Sequence, residues 1–155
     1  MNTSKIVILD NSLPKSRIIA ENFLTAMNAE LSNPIGIDWL DKILSKANII
    51  TIGDGENNIE GWLVLYCNDY SSQIAYVAGL HILKSYRGQG QSKLLLSKAI
   101  EQCRKNGMHK LTLFCKTDNS IALALYLNWG FVEEYRALQP QYNNEEYAFL
   151  SLNIE

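Results

Sequence analysis

The stretch of this 155-residue chain best suited to hold a ligand is Arg87-Gly88-Gln89-Gly90-Gln91-Ser92. It lies between an extended apolar segment, Ile74 to Leu83, and a strongly periodic run from Gln91 to Lys105. A strand that turns through glycines into a helix leaves the first-turn N–H groups without helical acceptors. Those donors and the positive end of the helix dipole together seat a phosphate. Glycine at 88 and 90 allows close backbone approach and unusual dihedrals, and Arg87 and Lys93 add positive charge. Spacing narrows the ligand. A dinucleotide fingerprint needs a third glycine where Lys93 stands, and no Walker run is present. A second residue with chemistry to offer is Tyr126, whose phenol, with an ordinary pKa of about 10, stays protonated near neutrality and can donate a proton. Its surroundings, Ile121-Ala-Leu-Ala-Leu-Tyr-Leu, are apolar nearly all round, so plain core packing is the competing reading.

The elements that must position these residues follow from periodicity and breakers. Lys5–Leu9 alternates as a first strand. A helix opens near Pro14 and runs to about Met27, with Ile19, Phe23 and Met27 on one face. Asn28–Gly36 is a loop. Asp38 is expected to cap a short helix, Trp39–Lys46, striped by Leu40, Ile43 and Leu44. Asn48–Ile52, the turn Gly53 to Asn58 and Ile59–Cys67 read as a hairpin. After a polar turn, Gln73–Leu83 is the strand that enters the loop. Gly107 stops the helix that leaves it. Lys110–Cys115 is a short strand, and Ser120–Asn128 a helix capped near Asp118 or Asn119. Phe131–Leu138 and Tyr147–Ile154 form a terminal hairpin. The expected fold class is α+β, a single mixed and mostly antiparallel sheet flanked by helices on both faces, in one domain over 1–155.

Composition excludes several classes. A formal net charge of −2 argues against a general nucleic-acid binder. No apolar run approaches the roughly 20 residues of a membrane span, and the N-terminal apolar stretch is too brief for a signal peptide, so cytoplasm is the expected location. Cys67, Cys103 and Cys115 are widely spaced, and neither His81 nor His109 stands at ligand spacing from them, so no metal site and no disulfide framework is expected.

The pattern from Tyr86 through Ser92, followed by Leu94-Leu95-Leu96, resembles the pyrophosphate loop of the GNAT superfamily of acyl-CoA-dependent N-acetyltransferases. Ser92 stands where that family prefers Gly or Ala. Downstream, Asn119-Ser-Ile-Ala122-Leu-Ala-Leu125-Tyr126-Leu-Asn-Trp-Gly130-Phe131 is similar to the family's Asn-x-x-Ala-x-x-Leu-Tyr-x-x-x-Gly-Phe signature. The resemblance covers about Ile74 to Phe131. It implies acetyl-CoA as cofactor, with its diphosphate on the backbone of Arg87, Gly88, Gln89, Gly90, Gln91 and Ser92. It places the pantetheine arm on backbone groups of Leu80 and Ile82, with Asn119 nearby. Tyr126 becomes the general acid that protonates the departing thiolate. The paired helices before the first hairpin would flank the acceptor, where Trp39 is either a pocket wall or core.

No general base is assigned. The strand position that carries Glu in some family members is Tyr76 here. His81, Glu60, Asp69, Glu133 and Glu134 are alternatives, the carboxylates reading as solvated charges, and deprotonation through waters and backbone carbonyls is the preferred route. Tyr142, in a polar segment beside Glu145 and Glu146, is a candidate to close over an acceptor. The expected activity is acetyl transfer to a primary amine, first of a small molecule and second of a protein N-terminus or lysine. The rival outside the enzyme class is a non-catalytic acyl-CoA-binding sensor or subunit; a nucleotide-binding α/β protein is weaker still. The apolar helix 120–128 and exposed strand edges allow a homodimer.

Overall fold

The computed structural model describes residues 4–55 and 57–155. Glu56, within the expected turn after the second strand, and the first three residues lie outside that description. Among the described residues seven strands form a mixed sheet in the order β1-β2-β3-β4-β5-β7-β6, accompanied by four α-helices. The residues cluster into two compact units, one reaching to Tyr66 and resuming at Ala78–Gln102, the other formed by Cys67–Val77 and Cys103–Glu155.

In the first unit, β1 (Lys5–Ile8), β2 (Asn48–Gly53) and β3 (Ile59–Tyr66) pair antiparallel. β2 and β3 are buried along nearly their whole length, as strands covered on both faces are, which fits their mostly apolar sequences. α1 (Pro14–Asn28) begins with proline in its first turn, where a missing N–H costs nothing. It buries Phe23, Leu24 and Met27. α2 (Ile37–Lys46) adds Leu40 and Ile43, both with no exposed surface. These pack with Ile49, Trp62 and Val64 into one apolar cluster, and the Phe23 ring lies 4.7 Å from that of Trp62.

One expectation changes here. The cap of α2 is Gly36 in extended conformation, and Asp38 sits inside the first turn. The helix begins earlier than its apolar stripe suggested because Ile37 is helical yet exposed. Asp38 then favours the helix through the dipole rather than through a cap. Trp39 is half-buried with its ring 6.0 Å from Trp62, and its indole edge lies 3.7 Å from where a side chain at Gly79 would begin. It packs against the core cluster as one of its partly buried neighbours.

The second unit holds the start of β4 (Ile74–Ile82), β5 (Lys110–Lys116), α4 (Ser120–Trp129), β6 (Val132–Gln139) and β7 (Glu145–Asn153). β4 and β5 are parallel, with partners from Ile74↔Lys110 to Val77↔Leu113. The terminal hairpin is present, with a register shift between Glu133 and Tyr135. A row of aromatics crosses this unit: Tyr76 to Phe114 at 6.3 Å, Phe114 to Phe149 at 5.0 Å, and Phe149 to Tyr135 at 5.2 Å. Such cross-strand pairs stabilise sheet register. Cys67, Cys103 and Cys115 are buried and unbridged, and Cys67 Sγ accepts from the Asn106 side-chain amide at 3.2 Å. Burial pushes Cys103 up to about 12 and Cys115 up to about 11.

Candidate active site

The first unit carries the glycine loop expected to seat a phosphate. β4 ends at Ile82, and Leu83 N–H donates to the Glu60 carbonyl at 2.9 Å, keeping the chain on the sheet for one more residue. A single 3₁₀ turn, Lys84–Tyr86, follows. Gly88 and Gly90 then adopt φ of +80° and +78°, which is left-handed backbone that side-chain-bearing residues adopt only at a cost. The Gly90 carbonyl accepts from Leu94 N–H and so starts α3 (Gln91–Lys105). By helix geometry the N–H groups of Gln91, Ser92 and Lys93 have no helical acceptor. This is the turn that the glycine spacing predicts, and α3 has the bounds expected for it.

Two loop side chains do something other than face a ligand. Arg87 folds back, its Nε donating to the Ile82 carbonyl at 2.8 Å, so the guanidinium braces the end of β4. Gln91 is buried at 2% exposure, and its amide donates to Glu60 Oε1 at 2.6 Å. Glu60 is therefore a buried carboxylate, not the solvated charge expected from sequence. The Gln91 carbonyl oxygen is buried with no hydrogen-bond partner among the described residues. Gln91→Leu removes the carboxylate's amide donor, so stability is expected to fall by about 1–3 kcal/mol, read from denaturant midpoints. Adding Glu60→Leu is expected to restore most of the loss, because an apolar pair replaces a polar one. No recovery in the double variant would show that Glu60 has other partners.

His81, on the same stretch of β4, is held by Glu30 from the connection after α1, Nε2 to Oε1 at 3.0 Å. Burial lowers its pKa below the ordinary 6.5, against the raising effect of Glu30. Leu80 is half-buried and Ile82 buried. Sequence reasoning missed Glu30 altogether, and no local pattern marks it.

The second unit carries Asn119 and Tyr126. Asn119 caps α4, its side-chain oxygen accepting from Ala122 N–H at 3.1 Å. Tyr126 is the buried residue of α4, 7% exposed, with its ring edge-on to Phe131 at 5.6 Å. Ile121 and Leu127 on the same helix are exposed, so this apolar helix is not uniformly core. Burial, with Cys115 adding, pushes the phenol well above its ordinary 10. The phenol is thus protonated throughout the neutral range. The other candidates are engaged locally: Asp69 accepts from Ser71 and Ser72, Glu133 pairs with Arg136, and Glu134 accepts from Ser151. Tyr142 is exposed beside Tyr147 in a turn where Asn143 and Asn144 have positive φ. No group of three potential metal ligands occurs among the described residues.

The model of the acetyltransferase (GNAT) family matches residues 20–131, most of the chain and both motifs. The chain belongs to this family. It is 38% identical over 74 residues to the N-alpha-acetyltransferase MAK3 of Arabidopsis thaliana, a match covering 48% of this chain and 38% of that protein. The chain spans less than half the length of the curated relatives it matches. Its fold is that of Ard1 from Thermoplasma volcanium, with a TM-score of 0.81, 15% identity and 99% of each chain covered. It is also that of a chain in the NatC complex bound to Gag peptide and CoA. There the TM-score is 0.77 and the identity 22%, with 97% of this chain and 98% of the other covered. The mixed, mostly antiparallel sheet expected of a GNAT fold is therefore present. No helix among the described residues is long and apolar enough to cross a membrane.

Proposed function

We propose that this acetyltransferase moves the acetyl group of acetyl-CoA onto the α-amine at the N-terminus of a protein chain. The cosubstrate follows from the family and from the loop: two left-handed glycines leading into α3 present backbone donors to a diphosphate. What supports the acceptor is the match to a protein named as an N-alpha-acetyltransferase. This reverses the order expected from sequence, where a small-molecule amine came first.

In this reading the backbone from Arg87 to Ser92 holds the diphosphate, and backbone groups of Leu80 and Ile82 hold the pantetheine arm. β4 runs on to Ile82 beyond its last partner on β5, Val77↔Leu113, which suits Leu80 and Ile82 to that role. Asn119 fixes the start of α4. The neutral amine attacks the thioester carbon, forming the C–N bond. Collapse of the tetrahedral adduct breaks the C–S bond, and the thiolate takes the phenolic proton of Tyr126. Because the phenol is held above 10 and a thiol titrates near 8.5, Tyr126 acts first as a strong hydrogen-bond donor. Its proton moves as charge builds on sulfur and is regained from solvent. The amine's proton leaves through water and backbone carbonyls. The whole chain, 1–155, serves as one acyltransferase domain in the cytoplasm, and its likeness to a chain of the NatC complex supports partner subunits.

The test is transfer of labelled acetyl to peptides that vary in their first two residues, each paired with an N-terminally blocked copy, alongside a panel of small amines. Labelling of free peptides but not blocked ones is expected. Labelling confined to small amines returns the acceptor to that class, labelling of blocked, lysine-bearing peptides moves it to the side chain, and cofactor binding without transfer favours the sensor.

A further inference from the structure

The connection that delivers the phosphate loop is tethered by one carboxylate from outside the sheet. Glu30 lies just after α1, and its N–H donates to the Met27 carbonyl at 2.9 Å. The segment around it is closed by Asn28, which accepts from Ile35 N–H and donates to Ile35 O, each at 2.9 Å. Leu31, the next residue, packs against the apolar cluster. Glu30 is therefore presented from a braced loop.

Its carboxylate meets three donors drawn from the short stretch 81–87. His81 Nε2 lies 3.0 Å from Oε1. The backbone N–H of Lys84, the first residue of the 3₁₀ turn, reaches both oxygens at 3.2 and 3.1 Å. One Arg87 guanidinium nitrogen lies 3.7 Å from Oε1, while Nε of the same side chain holds Ile82 O. Hydrogen bonds to an ionised acceptor are about twice as strong as neutral ones. Glu30 is only 20% exposed at its side chain, so water screens this cluster less than a surface pair. Burial raises the Glu30 carboxyl, but the Lys84 N–H, His81 and Arg87 outweigh it and hold it below the ordinary range.

We propose that Glu30 is a positioning residue for acetyl-CoA: by holding Lys84 and Arg87 it fixes where the loop 87–92 presents its donors. Glu30 touches no phosphate itself. The geometry gives it leverage at the loop's entry, because the other anchors are Leu83 on Glu60 and Arg87 on Ile82 along the sheet and Gln91 on Glu60 at the loop's exit. Glu30 holds the entry of the loop, Lys84 to Arg87, from the side of the α1–α2 connection, where those bonds do not reach. A tether from the α1–α2 connection also makes the seat of the cofactor dependent on a segment remote in sequence, |i−j| being 54 for the Lys84 bond.

The inference rests on the reading that this loop carries acetyl-CoA, and the experiment has one arm free of it. Amide hydrogen exchange of the ligand-free protein reads the tether directly. Glu30→Ala is expected to speed exchange at Lys84 and through 85–92 by about tenfold, with the α1 and β3 amides unchanged. Glu30→Gln, which keeps one acceptor oxygen, is expected to give a smaller increase. In the kinetic arm, KM for acetyl-CoA is expected to rise about tenfold in Glu30→Ala and less in Glu30→Gln, with kcat held within about twofold. Unchanged exchange at Lys84 overturns the proposal. So does a fall in kcat with KM unchanged, which would make Glu30 and His81 a catalytic pair instead. If the wild type neither binds nor uses acetyl-CoA, the proposed function fails, and the exchange arm alone decides whether Glu30 sets the loop.

Discussion

Tyr126→Phe is expected to lower kcat about a hundredfold, the lower end of what a positioned general acid contributes, and to leave KM for acetyl-CoA within about twofold. The substitution removes one oxygen. The ring remains against Phe131, 5.6 Å away, and Tyr126 is 7% exposed, so its packing supports α4 with or without the hydroxyl. Unfolding temperature should therefore hardly move, which separates a chemical role from a structural one. Only the neutral phenol donates, and burial holds it above 10. Its loss by ionisation therefore lies beyond pH 10, and a fall in rate between pH 7 and 10 would have to come from another group. Steady-state kinetics against acetyl-CoA checks both statements. An unchanged kcat would return Tyr126 to the core, the reading that its apolar neighbours in sequence favour.

Gly90→Val is expected to weaken acetyl-CoA binding at least tenfold, measured by isothermal titration. Gly90 has φ of +78°, and the space where a Cβ would sit is open. The cost is therefore one of backbone conformation, not of collision within the free protein. Holding a non-glycine residue there costs about 1–3 kcal/mol, and a β-branched one lies at the upper end. The loop can relax only by giving up the geometry that aims the N–H groups of Gln91 and Ser92. A factor of ten in affinity corresponds to about 1.4 kcal/mol, so modest relaxation suffices. Gly90→Ala provides the comparison, since it shares the positive φ but brings a smaller side chain to the diphosphate. Equal affinity in all three proteins would remove the loop from the mechanism.

The parts of this site that were legible in sequence are those whose chemistry is local. Gly88, Gly90 and the apolar repeat after Gln91 define the turn and α3, and Asn119 followed by Ala122 places a cap, because each depends on neighbours within four residues. The braces were not legible. Glu60 reads as an exposed charge on a strand until Gln91, 31 residues away, is seen to cover it. Glu30 reads as a loop acid until the fold brings His81 to it across 51 residues. Asp38 was misplaced for a smaller reason. Its side chain suits a cap, but an extended glycine two residues earlier serves as well, and the exposed Ile37 hid the first turn.

The three cysteines have a practical bearing on assays of the proposed reaction, which consumes an activated thioester. A thiol held at about 11, as Cys115 is, is ionised to about one part in ten thousand at neutral pH, and the thiolate is the species that attacks. Buried and protonated, these side chains neither intercept the acetyl group nor compete with the amine for it. They are also expected to react slowly with disulfide dyes, so coenzyme A released at each turnover can be counted by its sulfhydryl over a low protein background.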